Sequence, residues 1–288
     1  MEFAFFKGCK IPYFVPQYEV STRAVCNALG IKLIDVEFNC CGYPVSHLDR
    51  SSFLLSAARN LARAAQKGLD ILTPCKCCYG TLKKAARLIN ENTSLREEIK
   101  DWLGQESLAY EDGVEVKHIL SVLYDDMGVD KIRDRVTRPF SGLNIATHYG
   151  CHALRPASLT GFDDPVNPVK FDRLVEVTGA KSVPWGLKLQ CCGNPLWEKN
   201  KSLSVNLTIK KLENAKKAQA HYLCVSCTYC QIQFDTVQHH IVQEDKVSPL
   251  PCILFPQLLG LSLGLNPLEL RIDENQISIQ RVIEYFSS

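Results

Sequence analysis

A chain of 288 residues, 46% of them hydrophobic, is long enough for two domains and can bury a substantial core. Its 33 basic and 31 acidic side chains leave a net charge of +2, which gives no electrostatic reason to expect nucleic acid as a partner. No basic segment precedes the apolar residues at the start of the chain, as a secretory signal would require. The longest apolar stretch, Pro251–Leu265, is too short and too interrupted by proline and glycine to span a bilayer. We therefore expect a cytoplasmic protein that does not itself cross a membrane.

Strands and helices are predicted to alternate through the first part of the chain, with a cysteine group after each strand. Short apolar runs indicate the strands, and apolar side chains spaced three and four residues apart indicate the helices. In chain order, these predicted elements are the strand Phe3–Phe6 before Cys9, the helix Tyr18–Leu29, the strand Lys32–Val36 before Cys40 and Cys41, a helix capped by Ser51 or Ser52 and ended by Gly68, and the strand Leu69–Leu72 before Cys75.

The second part of the chain follows the same plan. Its predicted elements are the strand Leu143–Ala146 before Cys151, a helix around Phe171–Val177, a strand near Ser182–Trp185 before Cys191 and Cys192, the helix Ser202–Ala218, and the strand Tyr222–Val225 before Cys227. Three further segments are predicted outside this plan: a helix over Val116–Asp126, a linker over Arg135–Gly142, and a terminal helix over Gln276–Phe286.

The cysteines indicate that the chain repeats itself. A Gly-Cys, a Cys-Cys-Gly and a CxxC recur in the same order, with gaps of 30 and 33 residues in the first part and 39 and 34 in the second. Strands that alternate with helices form parallel sheets through right-handed crossovers. We therefore predict an α/β fold of two pseudo-symmetric repeats, residues 1–138 and 139–288, each a small parallel sheet flanked by helices. The cysteines should then lie at the C-terminal ends of the strands, where such sheets bind ligands.

Fourteen cysteines in a cytoplasmic chain point to metal more than to disulfides, since cytosolic thiols stay reduced. A single CxxC is also compatible with zinc or a redox disulfide. Here each repeat brings five sulfurs together, one more than a tetrahedral zinc ion uses, and a polynuclear iron–sulfide core can share them. The C-x2-C-x2-C run of ferredoxins is absent, so an ordinary cubane site is not indicated.

Glycine after each Cys-Cys pair has a mechanical role. Neighbouring side chains of an extended strand point to opposite faces, so the chain must bend sharply to aim both sulfurs at one site. Gly42 and Gly193 permit that bend, and Pro44 and Pro195 then fix the direction in which the chain leaves.

Taken together, these motifs resemble the duplicated CCG domain found in the B-type subunits of heterodisulfide reductase. The segments that carry the resemblance are the cysteine groups of both repeats, His148-Tyr149-Gly150-Cys151-His152, Cys227-x-x-Cys230-x-x-Gln233-Phe234-Asp235 and Gln257-Leu258-Leu259-Gly260, and they span nearly the whole chain.

The resemblance implies that each repeat holds a noncubane [4Fe-4S] cluster with five cysteine ligands and that a disulfide substrate binds between the two clusters. It also implies a larger complex, with a small ferredoxin-like iron–sulfur subunit and a flavin-containing subunit, because this chain carries no flavin or nucleotide motif. The ligands implied are Cys9, Cys40, Cys41, Cys75 and Cys78 in the first repeat and Cys151, Cys191, Cys192, Cys227 and Cys230 in the second.

For several other residues, the sequence pattern indicates a role less specifically. The cysteines outside the repeat pattern are expected to be core residues, and the lysines of the helix Ser202–Ala218 are expected to form its solvent face. The basic residues near the cysteine groups are expected to be solvated, with offsetting thiolate charge or attracting an anionic substrate as the alternative. His152 is a candidate proton donor to a departing thiolate or a wall residue. The apolar segment Leu258–Leu265 is expected to close the core, with packing against a partner subunit as the alternative. The cysteines outside the repeat pattern are Cys26, Cys77, Cys224 and Cys252. The basic residues near the cysteine groups are Lys7, Lys10, Lys76 and Arg155, and those of the helix are Lys210, Lys211, Lys216 and Lys217.

Three functions remain open from the sequence. The first is a catalytic subunit that reduces a disulfide or related sulfur substrate. The second is an electron-relay and assembly subunit whose complex performs the chemistry elsewhere, and the third is a zinc-stabilised scaffold without a redox role. The duplicated domain indicates the cofactor better than the substrate.

Overall fold

Each half of the chain folds around its own four-stranded sheet in the structure, a computed structural model that describes residues 1–287. The strands are β1 (Glu2–Phe5), β2 (Lys32–Ile34), β3 (Ile71–Thr73) and β4 (Val116–His118) in the first half, and β5 (Asn144–His148), β6 (Lys181–Ser182), β7 (Tyr222–Val225) and β8 (Cys252–Leu254) in the second. Their spatial orders, β2-β1-β3-β4 and β6-β5-β7-β8, are equivalent, and all neighbours are parallel. The predicted repeat of two parallel α/β units is confirmed.

Helices connect these parallel strands, as parallel pairing requires. In the first half they are α1 (Ile11–Phe14), α2 (Pro16–Ala28), α3 (Arg50–Gln66), α4 (Lys76–Asn90), α5 (Thr93–Gly104), α6 (Ile119–Ser121), which continues as a π-helix over Val122–Met127, and α7 (Val129–Arg133). In the second half they are α8 (Ala157–Thr160), α9 (Lys170–Val177), α10 (Lys201–Lys217), α11 (Thr228–Ile232), which continues as a π-helix over Gln233–Val237, α12 (Gln238–Gln243) and α13 (Phe255–Ser262).

The fourth strand of each sheet is not among the predicted elements. The sequence predicts a helix from Val116 to Asp126, but its first three residues form β4 and the helix begins only at Ile119. In the second half, β8 lies within the apolar stretch Pro251–Leu265. A strand of three residues is too short to show a periodicity that separates it from the start of a neighbouring helix.

Two helix boundaries also differ from expectation. Helix α3 is capped by Asp49, whose carboxylate accepts hydrogen bonds from the backbone of Ser51 at 2.9 Å and Ser52 at 3.2 Å, so neither serine is the cap. The predicted terminal helix is reduced to a 3-10 helix over Gln280–Tyr285.

The two halves share one hydrophobic core. Helix α13 of the second half packs against α2 of the first, and Leu258 and Leu259 are fully buried there, as expected for a segment that closes the core. At the junction, the Tyr18 hydroxyl donates to the carbonyl of Pro74 at 2.5 Å and lies 3.1 Å from the Ser226 hydroxyl. The division at residue 138 stays a prediction.

Candidate metal centre

Ten cysteine side chains form one continuous row across the junction of the two halves. The Cys9 and Cys40 sulfurs are 3.7 Å apart, and every later neighbour in the row is close enough for the two thiols to interact. From end to end, the row reads Cys9, Cys40, Cys41, Cys78, Cys75, Cys227, Cys230, Cys192, Cys191 and Cys151.

This order is symmetric about its centre. From either end the row runs through the Gly-Cys sulfur, the two sulfurs of the Cys-Cys pair, and the second and then the first sulfur of the CxxC, so that Cys75 and Cys227 meet in the middle. The sulfurs are the ten singled out from the sequence, and each half contributes five in the same order.

Within the row, hydrogen bonds between neighbouring thiols shift their pKa values in different directions. Hydrogen bonding by Cys41 and Cys9 lowers the pKa of Cys40 to about 3, and hydrogen bonding by Cys151 and Cys192 lowers the pKa of Cys191 to about 2. At the centre, Cys227 and then Cys78 hold the pKa of Cys75 well below its usual range. The lowered pKa values of Cys40 and Cys191 fall at equivalent places in the two halves, whereas the pKa of Cys227, the counterpart of Cys75, is raised.

The sulfurs line two neighbouring cavities. The cysteines of the second half line one cavity, and those of the first half line the other except Cys40, which lies beside Cys9. Both cavities share the side chains of Tyr43, Cys77 and Tyr229 as walls. The rings of Tyr43 and Tyr229 meet edge to face at 5.7 Å. The two sites are therefore separated by a single layer of side chains.

The bend after each Cys-Cys pair is present as expected. Gly42 and Gly193 have φ angles of 86° and 91°, in the left-handed region that favours glycine, and each begins a 3-10 turn. A methyl group on Gly42 would lie 2.8 Å from the backbone oxygen of Phe53, whereas on Gly193 it would lie 3.4 Å from Leu207. The first bend is thus packed more tightly than the second.

Different side chains hold the two Cys-Cys loops in place. In the first half, the Asn60 amide and the Ser56 hydroxyl on α3 donate to the carbonyl of Cys40 at 3.0 and 2.7 Å. In the second half, Gln233 accepts from the side chain of Asn194 at 3.0 Å and donates to the hydroxyl of Thr208 on α10 at 2.6 Å. The glutamine of the family-like segment thus fixes the loop against its supporting helix.

The expectation of solvent exposure is wrong for two lysines, Lys76 beside the first CxxC and Lys211 in α10. Lys76 is only 1% exposed and donates to the backbone carbonyl of His148 at 3.2 Å, inside the other half. Lys211 is 1% exposed and donates to the carbonyls of Leu187 at 2.7 Å and Gln190 at 3.0 Å. Burial lowers the pKa of both lysines, that of Lys211 to about 8, and nearby cysteines of the second half act in the opposite direction.

His152 is a wall residue of the second-half cavity. Its ring meets that of Tyr43 at 5.1 Å, and burial lowers its pKa. His152 also borders a further cavity of about 190 Å³, together with Arg155, Lys84 and His47. Tyr43 and Tyr229 carry no signal in the sequence beyond their places next to Gly42 and inside the second CxxC.

The other four cysteines stand outside the row. Cys26, Cys224 and Cys252 are fully buried, as core residues should be. Cys77 is also buried, but it lines both cavities, so it belongs to the wall between the two sites. Burial raises the pKa of Cys77, whereas hydrogen bonding by Cys227 and Cys78 lowers that of Cys75.

The donor set fits an iron–sulfur group. Ten thiol groups are the donors that iron–sulfur groups use. The sulfurs follow the walls of two cavities, and an iron–sulfide core with several irons can share thiolates spread in this way. The fold and site therefore define a duplicated, cysteine-rich protein of the iron–sulfur class.

Comparison with known proteins agrees with this class. The cysteine-rich CCG domain matches twice, at residues 3–83 and 145–235. The chain belongs to this CCG family and, within it, to the relatives of the B-type subunits of heterodisulfide reductase. The curated relatives are mostly named as subunits of reductases, and this chain is an iron–sulfur, electron-transfer subunit of an oxidoreductase complex.

Two relatives align along nearly the whole chain. The 8-methylmenaquinol:fumarate reductase membrane anchor subunit of Wolinella succinogenes is 33% identical over 284 residues, 98% of this chain and 99% of the relative. The B-type subunit of the ferredoxin/F420H2-dependent CoB-CoM heterodisulfide reductase of Methanosarcina acetivorans is 32% identical over 278 residues, covering 94% and 92%. Both are named as subunits of reductases.

One solved structure shares the fold. A hypothetical protein from Helicobacter pylori superposes with a TM-score of 0.78 at 16% identity, over 97% of this chain and 52% of that protein. At 16% identity, this similarity shows a common fold and nothing about function. Across the part of this chain that is described, no helix has both the length and the apolar character that crossing a bilayer would need.

Proposed function

We propose that each half of the chain holds one noncubane [4Fe-4S] cluster through five cysteines. The symmetric row of sulfurs supports this, because it supplies the same five positions on both sides of the Cys75–Cys227 contact. The proposed ligands are Cys9, Cys40, Cys41, Cys75 and Cys78 for the first cluster and Cys151, Cys191, Cys192, Cys227 and Cys230 for the second.

The function that this arrangement supports best is reduction of a disulfide, or its reverse, in the cleft between the two sites. Conversion of one disulfide to two thiols consumes two electrons and two protons. The two clusters, when bound, would supply one electron each to the sulfur–sulfur bond. The shared walls Tyr43, Cys77 and Tyr229 are the observation that carries the proposal, since one small molecule can reach both sites only if they adjoin.

The chain's own residues would orient the substrate and handle the protons. His152 is placed to give a proton to a departing thiolate, because it borders the second-half cavity and the larger cavity beside it. Arg155, Lys84 and His47 make that larger cavity basic, which favours a substrate with an anionic end. The rings of Tyr43 and Tyr229 would keep bulk water from the reacting sulfurs.

Electrons would arrive from other subunits. The sequence contains no flavin or nucleotide motif, so we propose a small ferredoxin-like iron–sulfur subunit and a flavin-containing subunit as partners in a cytoplasmic complex. The relatives support a complex, since both are subunits of larger reductases.

One observation favours a second candidate function. The fumarate reductase anchor subunit aligns over 99% of its length, and its name assigns it to a complex that acts on a quinol and fumarate. A chain that serves such a complex would relay electrons between partners and would have no disulfide substrate of its own. Turnover by the isolated chain separates these two functions.

Metal analysis tests the cofactor. Two four-iron clusters with thiolate ligands predict about eight iron and about eight sulfide per chain after anaerobic purification. Zinc as the main metal, with little sulfide, would instead establish the zinc-stabilised scaffold.

Activity is then measured on the iron-loaded chain alone, with a reduced dye as electron donor and a series of small disulfides. Turnover that falls at least tenfold in H152Q, at unchanged iron content, supports a catalytic subunit in which His152 moves a proton. Full iron content without turnover of any disulfide would favour the electron relay.

A further inference from the structure

The two cluster sites differ in the charge buried around them. At two places where the repeats correspond, the second-half site has a buried lysine and the first-half site has a neutral residue. Lys76 begins α4 directly after Cys75, and its counterpart Thr228 begins α11 directly after Cys227. Lys211 is the eleventh residue of α10, and its counterpart Asn60 is the eleventh residue of α3.

The residue after the first CxxC cysteine crosses to the opposite half in both repeats. Lys76 comes from the first half but lines the second-half cavity, and Thr228 comes from the second half but lines the first-half cavity. The Lys76 ammonium lies 4.6 Å from the ring of Phe171 and 5.6 Å from that of Tyr149, both in the second half. The crossing therefore gives the second site a cation and the first site a hydroxyl.

Lys211 adds a second buried lysine behind the loop that carries Cys191. Its hydrogen bonds to Leu187 and Gln190 fix the ammonium beneath the loop that leads to Cys191. Cys192 and Cys230 act against the burial that lowers the pKa of Lys211. In the first half, Asn60 makes the corresponding contacts to the Cys40 loop without any charge.

Basic residues of the first-half cavity do not compensate. Lys7 and Lys10 line that cavity, but Lys7 is 44% exposed in its side chain and paired with Glu19 at 3.4 Å. Lys10 is partly exposed and lies 5.2 Å from the ring of Tyr229. Charges in contact with water are strongly screened, whereas buried charges act at a lower effective dielectric constant.

We propose that Lys76 and Lys211 set the reduction potential of the second-half cluster above that of the first-half cluster, an inference that rests on the two-cluster function proposed above. A fixed positive charge stabilises the electron that a cluster gains on reduction, and local charge is one of the determinants of iron–sulfur potentials. Under this proposal, an electron that enters the chain settles first in the second half, and the first-half cluster is reduced only afterwards. Lys76 couples the halves, because a side chain of one repeat tunes the cluster of the other.

A redox titration of the iron-loaded full chain, followed by EPR and visible absorption, tests the order. We expect two one-electron midpoint potentials in the unaltered chain. Cys192→Ser should remove the higher one and Cys41→Ser the lower one. Coincident potentials, or the opposite assignment, would overturn the proposal without any lysine variant.

Lysine variants then test the cause. In K211M, and in K76M where it folds, the higher potential should fall so that the reduced-to-oxidised ratio of that cluster at a fixed potential drops at least tenfold, which is 59 mV for one electron. The lower potential should move much less. K210M, which removes an exposed lysine next to Lys211, should leave both potentials unchanged.

Equal shifts of both potentials in K211M, or no shift, would contradict a specific role of the lysine. Iron content separates this failure from failure of the proposed function. A chain with about eight iron and two indistinguishable potentials would hold both clusters and lack only the difference in potential.

Discussion

The two halves of the molecule preserve the order of strands and sulfurs but differ in how each Cys-Cys loop is supported. In the first half, the bend at Gly42 is pressed against the backbone of Phe53 and the loop is held by side chains of α3. In the second, the bend at Gly193 has more space and the loop is held through Gln233 and Asn194. The comparison indicates that the order of the sulfurs is kept more strictly between the two halves than the side chains that support each loop.

The largest expected effect comes from removing one ligand in one half. Cys41→Ser and Cys192→Ser should each cost about half of the iron, roughly four atoms per chain, because each repeat supplies its own set of thiolates. Iron and sulfide analysis of the folded variants measures this. Cys26→Ala, which changes a buried cysteine outside the row, serves as the control and should keep the full content. Loss of all iron from a folded single variant would show that the two sites are not independent.

An intermediate effect should distinguish the two bends. Gly42→Ala and Gly193→Ala both place a side chain at a left-handed φ, which costs roughly 1–2 kcal/mol. G42A should cost more than G193A, because its methyl group would lie 2.8 Å from a backbone oxygen that cannot move freely, against 3.4 Å from a leucine side chain. Thermal unfolding of the two variants, with iron content of each site, tests the difference. Equal destabilisation would mean that the first bend is not the tighter one.

The fold, and the gathering of ten sulfurs in one row, could be predicted because both depend on local pattern. Glycine after each Cys-Cys pair and the apolar run before each cysteine group are visible in the sequence, and equivalent strand ends bring their residues to one edge. The three-residue strand β4 could not be recognised, because Val116 continues without a break into the helical spacing of Ile119 and Leu120. Short apolar segments carry too few periods to separate strand from helix.

The burial of Lys76 and Lys211 could not be predicted from the sequence for a different reason. Lys211 lies in a helix rich in lysine, and a lysine is ordinarily exposed. Its burial depends on the carbonyls of Leu187 and Gln190, which the loop brings to it from more than twenty positions away. The direction of Lys76 depends on how the two halves meet, and no local pattern encodes that arrangement.

The smallest expected effect comes from Tyr18→Phe at the junction between the two halves, which should affect both halves equally. Tyr18→Phe removes a buried hydroxyl that donates to the carbonyl of Pro74 and touches the hydroxyl of Ser226, at equivalent loops of the two halves. Pro74 keeps its contact with the His118 ring at 2.9 Å, so the carbonyl is not left without a partner.

We expect a loss of about 1–2 kcal/mol in the free energy of unfolding, typical of one buried hydrogen-bonding group. Chemical denaturation of the iron-loaded chain measures this. Tyr13→Phe, which changes a tyrosine that is 83% exposed, should have no effect. Because Tyr18 contacts both CxxC loops, Y18F should leave about the same iron in the two sites. Selective loss from one site would show that the hydroxyl supports a single half, and the junction would then be as asymmetric as the loops and lysines around it.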